Sequence, residues 1–505
     1  DLTDEAAGRA WGRFVEEVFA PFQVANGALT TKLLAVPGYA PAPERVQMLR
    51  QFRAAEGIVS AENAAIEADI SALAGEYGTL AASMTATIDG REVTGPELDR
   101  SARDPDRAVR EAAWRAGNTP WLERRGAIDK LFLALLARRR RLARNAGLPD
   151  YRAYRWRELG RLDYTPADCR AFHEAIAAEI VPLAARRQGA RRERLGVGTL
   201  RPWDLAAPPD FRPRPQPFPD VTAFEEGMAR VFARVDPELG ALFGRMRRGF
   251  LDLGWRKGKS GGGEEWTFPV TGLPYVLLNK DGTDEGVSFL LHEMGHAFHD
   301  YLVLARRGLI WESNYPDEFA EFAAIAMTYL AAPALARDLG GPYSAEDAAR
   351  TGALALEEAV VKWLPLIALT DAFQHWLYAE APEDAAPADL DAQWAALSAR
   401  FMPWVDWDGL AAELATGWQH VGLLFSQPFY YIEYGLAHLG ALQVWRRAQA
   451  DPAAAWRDYR AALALGATQA LPDLFDAAGA RLPFDRAVVR EVARSLADHL
   501  DRHPA

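Results

Sequence analysis

Apolar side chains recur every three or four residues along nearly the whole chain, a period that restricts the fold to one built mainly from helices. From residue 1 to about 200 the text is rich in Ala, Leu, Arg and Glu, all strong helix formers, with Ile128, Leu131 and Leu135 marking one buried face. The period breaks at two places. Residues 207–220, APPDFRPRPQPFPD, carry six prolines, which forbid helix and read as a connection between two helical halves, 1–206 and 221–505. Helix is then expected over 223–253. The second break follows Gly261-Gly262-Gly263. There Trp266–Val270 and Tyr275–Leu278, rich in aromatic and β-branched residues and separated by Gly272, predict a hairpin of two short strands. Beyond Gly282 the helical period holds almost to the end, with no internal repeat of fixed length. The expectation is a mainly α structure of 505 residues with one small β-sheet, organised as two to four domains or one unusually large one.

The formal net charge of -12 argues against nucleic acid as a partner, because phosphates reward basic surfaces. The one basic run, Arg138-Arg139-Arg140-Arg141, continues an apolar helical stretch and reads as the solvated end of a helix. Cys169 is the only cysteine, so no intrachain disulfide can form, and its expected place is a small buried apolar site. No uninterrupted apolar stretch approaches the roughly 18–20 residues of a membrane helix, so no membrane partner is expected. Asp1 to Glu5 lack a signal-peptide pattern, and a cytoplasmic location is expected, with a leader removed ahead of Asp1 left open.

The chemistry concentrates just after the predicted hairpin. Thr283-Asp284-Glu285 offers a capping side chain and first-turn carboxylates, and the helix that follows reads VSFLLHEMGHAFHDYLV. His292 and His296 stand four residues apart, so both imidazoles leave one face, the spacing needed to hold one Zn²⁺ at about 2.0–2.1 Å. Glu293 between them is placed to serve as general base. A catalytic zinc takes three protein ligands, so a third is required. An HExxHxxGxxH extension fails, because positions 299 and 302 are His and Leu. A Glu nineteen or twenty residues on also fails, because those positions are Tyr315 and Pro316. Glu312, Glu318 and Glu321 remain, the last 25 residues beyond His296 in a helix signalled by Asn314 and Pro316. His299 shares the metal-facing side and is expected to support the ligands or the substrate.

At this point the chain resembles the thimet oligopeptidase and oligoendopeptidase F family of zinc peptidases. The resemblance rests on the motif, on Ala320-Glu321-Phe322, on the lead-in Arg256-Lys257-Gly258-Lys259-Ser260-Gly261-Gly262 with Pro274-Tyr275-Val276, Asn279 and Gly282-Thr283, and on Pro428-Phe429-Tyr430-Tyr431-Ile432-Glu433-Tyr434-Gly435. It runs from about residue 100 to the end. It implies Glu321 as third ligand, one Zn²⁺ per chain, and Tyr434 and Tyr431 as catalytic tyrosines. A tyrosine hydroxyl suits that role, donating to a developing oxyanion while uncharged at neutral pH. Two departures stand out. The family's His ahead of the tyrosines is replaced by Gly422-Leu423-Leu424, with His420 out of register, and a second acid beyond the ligand Glu by Thr328 and Tyr329.

The resemblance also implies two helical lobes around a substrate channel and oligopeptides as substrates. The expected activity is that of a zinc endopeptidase cutting internal bonds by a zinc-activated water, with Glu293 as base. A dipeptidyl-carboxypeptidase and a zinc-retaining peptide binder without turnover are the alternatives. Tyr275–Leu278 is expected at the sheet edge beside the metal helix, where an extended substrate would add as a strand.

Overall fold

A computed structural model describes residues 4–58, 60–207, 212–259 and 261–503. Pro208 to Phe211 of the proline-rich connection, and Ser260 of the lead-in, lie outside the described residues.

Helices dominate, the longest being Arg107–Asn145, capped by the Asp106 carboxylate on Ala108 N–H. Among the described residues, strands form only two small sheets. β1 (Ala86–Ile88) pairs antiparallel with β2 (Arg91–Val93). β3 (Leu251–Asp252), β4 (Gly263–Phe268) and β5 (Leu273–Leu278) form the other in the order β3-β5-β4. The chain divides into two compact units. The first comprises Asp1–Glu56, Arg214–Ala353 and Leu436–Leu482; the second comprises Gly57–Pro213, Leu354–Gly435 and Pro483–Ala505. One crossing, between Pro213 and Arg214, falls inside the proline-rich segment.

In the first unit the predicted hairpin is present as β4 and β5, and Gly272, at φ 64°, supplies the left-handed residue in its turn. Alternation on β5 buries Pro274, Val276 and Leu278. β5 is the central strand, however, not the edge. Leu251 and Asp252 pair parallel with Val276 and Leu277, leaving β4 as the edge on the other side. The helix expected over 223–253 is two helices, Val221–Val235 and Pro237–Met246. Asp236 turns extended between them (φ -156°, ψ 131°) because the residue before a proline avoids the helical region, and its carboxylate caps the second helix.

The motif-bearing helix, Asp284–Ala305, starts where Thr283 caps Gly286 N–H. Asp284 accepts hydrogen bonds from Tyr343 (2.9 Å) and Arg214 (3.1 Å), which anchors that end. It packs against the sheet and against the helix Asp317–Ala331. With its 3-10 extension to Leu335, the latter is long and apolar enough by mean composition to cross a membrane, although Asp317, Glu318 and Glu321 interrupt its apolar run. Since 72% of that segment is buried inside the fold, it is a core helix.

In the second unit, the β1–β2 hairpin was hidden within a region read as wholly helical. Asp89 and Gly90 both take positive φ (51° and 76°), the two-residue turn that Asp-Gly favours. The arginine run is not simply solvated. Arg138 and Arg141 meet Asp69 and Glu62, whereas Arg139 is fully buried and donates to Tyr378 (2.9 Å) and the Leu424 carbonyl (2.8 Å). Cys169 is buried, as expected.

Candidate metal centre

The first unit brings His292, His296 and Glu321 together, each offering one donor atom within 4.8 Å of the others. His292 Nε2 lies 3.4 Å and His296 Nε2 3.9 Å from Glu321 Oε2. Donors on a tetrahedral zinc with bonds of about 2.0–2.1 Å stand roughly 3.3 Å apart, so two imidazoles and one carboxylate fit that ion nearly as placed. Burial lowers His292 to about 4, and burial with the neighbouring His292 and His299 lowers His296 well below the ordinary histidine range. Both rings are therefore neutral near pH 7, with lone pairs ready to ligate. Glu318, one turn before Glu321, is buried but is not among the converging donors. Glu312 instead accepts from Leu309 N–H (3.3 Å) within its own turn.

Gly295 sets how closely the two ligand-bearing helices approach. A Cβ there would sit 2.5 Å from Ala324 Cα and 2.8 Å from the Ala323 carbonyl oxygen, so only glycine admits this spacing. A second glycine, Gly263 on β4, leaves room for the general-base candidate; a Cβ on it would meet Glu293 Oε1 at 2.6 Å. Glu293 is buried and pushed up to about 8, first by desolvation and then by Glu321, Glu265 and Glu264. A cation on the three donors would act in the opposite sense and favour the carboxylate.

The lead-in residues hold this strand in place. Lys259 is buried and donates to the carbonyls of Leu278 (2.9 Å) and Gly254 (3.1 Å). Asn279 accepts from Arg256 N–H (2.9 Å) and donates to the Lys259 carbonyl (3.1 Å). His299 departs from its expected role. Neither ring nitrogen has a hydrogen-bond partner, and the ring stacks on Tyr315 (3.8 Å, 21°) with its edge to Phe319. His438, which sequence reasoning passed over, stands 3.4 Å by Nδ1 from the Tyr329 hydroxyl and is lowered to about 3 by burial, with His292 adding to the effect. Its signal was its place one helical turn after Tyr434.

Tyr431 and Tyr434 belong to the second unit, on the first turn of the helix Tyr431–Ala448. Tyr434 makes edge contacts with Tyr430 (5.2 Å) and Tyr431 (5.9 Å), and burial raises Tyr431 to about 12. The turn leading in is unusual. Phe429 holds φ 68°, a strained value for an aromatic residue, with Gln374 accepting from its N–H and Arg161 donating to its carbonyl. Arg161 also pairs with buried Glu433 at 2.7 Å. His420 packs as a ring on Trp121 (4.2 Å).

The sequence matches the model of peptidase family M3 over residues 101–494. The chain belongs to that family. M3 peptidases are zinc-dependent metallopeptidases, so this chain is a metallopeptidase. Among solved structures it is similar to PZ peptidase A bound to an inhibitor, at 27% identity and a TM-score of 0.91, covering 99% of this chain and 88% of that one. A protein assigned as an oligoendopeptidase F matches at 28% identity and a TM-score of 0.91, covering 99% and 87%. One from Bacillus anthracis str. Ames, at 24% identity and a TM-score of 0.86 over 99% and 87%, shares the fold. No curated protein sequence matches significantly.

Proposed function

We propose that this M3 peptidase is a zinc-dependent oligoendopeptidase that cuts internal bonds of short unfolded peptides. The observation that carries the reading is the convergence of His292, His296 and Glu321 with Glu293 beside them on the same helix. In this reading one Zn²⁺ is held by those three residues, and when bound it supplies Lewis acidity that makes a water acidic enough to lose a proton near neutral pH. Glu293 takes that proton and later delivers it to the leaving amine. The edge strand β4 receives the substrate backbone as an added strand, a mode that reads main chain more than side chains. Gly263, at the start of β4 and against Glu293, puts the reacting end of that strand next to the base. Tyr434 donates its hydroxyl to the oxyanion as it develops, with Tyr431 the weaker candidate. The sequence pattern supports this role, since Tyr434 occupies the position of a family tyrosine.

An internally quenched peptide tests the proposal. Cleavage that chelator abolishes and zinc restores supports a zinc enzyme. Equal cleavage with a blocked C-terminus supports an endopeptidase, whereas dependence on a free C-terminus would replace it with an exopeptidase. A protein that binds the peptide without cutting it would overturn the assignment.

A further inference from the structure

Two helices of the second unit each present a pair of metal-binding side chains four residues apart. Cys169 and His173 lie on Pro166–Ala175, and Asp371 and His375 lie on Leu364–Ala379. We propose that Cys169, Asp371 and His375 form a second metal site, a buried three-donor one for zinc or a similar borderline divalent cation. Their donor atoms lie within 4.8 Å of one another, as do those of the His292 centre. A thiolate, an imidazole and a carboxylate are a donor set that selects zinc-like ions over calcium or magnesium.

Two buried atoms lack a hydrogen bond, though His375 Nε2 lies 3.5 Å from Asp371 Oδ2 on its own helix. Asp371 Oδ1 and His375 Nε2 have no hydrogen-bond partner, although their residues are 0% and 3% exposed. A carboxylate oxygen and a ring nitrogen left bare in the interior are costly, and one cation satisfies both. The other carboxylate oxygen, Asp371 Oδ2, sits 2.7 Å from His173 Nε2, which orients the carboxylate from behind as ligand-supporting partners do. Cys169, 0% exposed, is out of reach of any substrate, so a cysteine nucleophile activated by His375 and Asp371 is excluded.

Loading the site asks for small movements. Donors on tetrahedral zinc are roughly 3.3–3.6 Å apart, so the present separations, none above 4.8 Å, close by side-chain rotation of about 1 Å at most. Ligation through Nε2 places the His375 proton on Nδ1, where Arg152 now stands at 3.4 Å. That contact is long, and Asp150 waits 3.6 Å from the same guanidinium to receive it. Cys169 loses its proton to solvent as the sulfur–metal bond forms. The ion would then tie the two helices together and add its binding energy to the stability of the second unit.

Cobalt tests this independently of peptidase activity. The full chain carrying His292→Ala and His296→Ala is stripped with chelator and titrated with Co²⁺. The expected result is uptake of about one equivalent with a thiolate-to-cobalt charge-transfer band in the near ultraviolet and a raised Tm. Adding Cys169→Ser should remove the band. Should that variant fail to fold, His375→Gln, which keeps the thiol, should weaken the uptake at least tenfold. No uptake, or uptake without the charge-transfer band, would overturn the proposal.

Discussion

Gly295→Ala is the sharpest structural test of the metal centre, because it changes no ligand. The added methyl would lie 2.5 Å from Ala324 Cα, where carbon atoms pack comfortably at about 3.5–4.0 Å. The obstacle is backbone on a neighbouring helix, not the tip of a flexible side chain, so the helices must separate by roughly 1 Å. Glu321 sits three residues before Ala324 and moves with it, opening the 3.4 and 3.9 Å gaps to His292 and His296. Overpacking of this kind costs about 1–3 kcal/mol of stability, and a displacement near 1 Å at a reacting site costs about 10²-fold in rate. Zinc affinity is measured by competition with a chromogenic chelator, stability by thermal denaturation of the stripped protein, and kcat/KM with the quenched peptide. The control is Gly244→Ala, in the helix Pro237–Met246, where an added Cβ meets nothing within 4 Å. That change should be neutral or stabilising by about 0.4–1 kcal/mol. Wild-type zinc affinity in Gly295→Ala would refute the idea that helix spacing sets the ligand geometry.

Three further predictions concern individual side chains. Glu293→Gln should keep zinc, read by metal analysis, while turnover collapses; activity within a few-fold of wild type would mean another group is the base. Glu321→Ala should weaken zinc strongly in a chelator competition, whereas Glu318→Ala should leave affinity close to wild type, since only Glu321 joins the histidines. The reverse ranking would move the ligand by one turn. Tyr434→Phe should lower kcat by roughly 10²–10³ with KM little changed, if the hydroxyl acts in the transition state. Unaltered kcat would remove it, and loss at Tyr431→Phe alone would transfer the role there.

Local signals with strong chemistry were legible in the sequence. The capped motif helix and the Gly-bounded hairpin each depend on residues within about one helix or turn of one another, whereas Glu321, on a second helix, was singled out from Glu312 and Glu318 by the family resemblance. What escaped depends on contacts remote in sequence. β3 is two residues long, and only pairing with Val276 and Leu277 makes it a strand and moves β5 to the centre of the sheet. The break at Asp236 was written in Asp-Pro, and the β1–β2 turn in Asp-Gly, but helix-favouring neighbours masked both. Arg139 looked solvated because its neighbours are; only the folded chain shows the Leu424 carbonyl and the Tyr378 hydroxyl waiting for it. His299 illustrates the opposite error. Its spacing fits the metal face, yet its stacking on Tyr315 and Phe319 makes it a packed ring.

The most direct measurement is an anomalous-difference map collected at the zinc absorption edge from crystals of the zinc-loaded chain. A strong peak within about 2.0–2.2 Å of His292 Nε2, His296 Nε2 and a Glu321 oxygen, with Glu293 beside it but not bonded, is the predicted result. An active enzyme whose map shows no peak among those three residues would contradict the assignment of the catalytic metal.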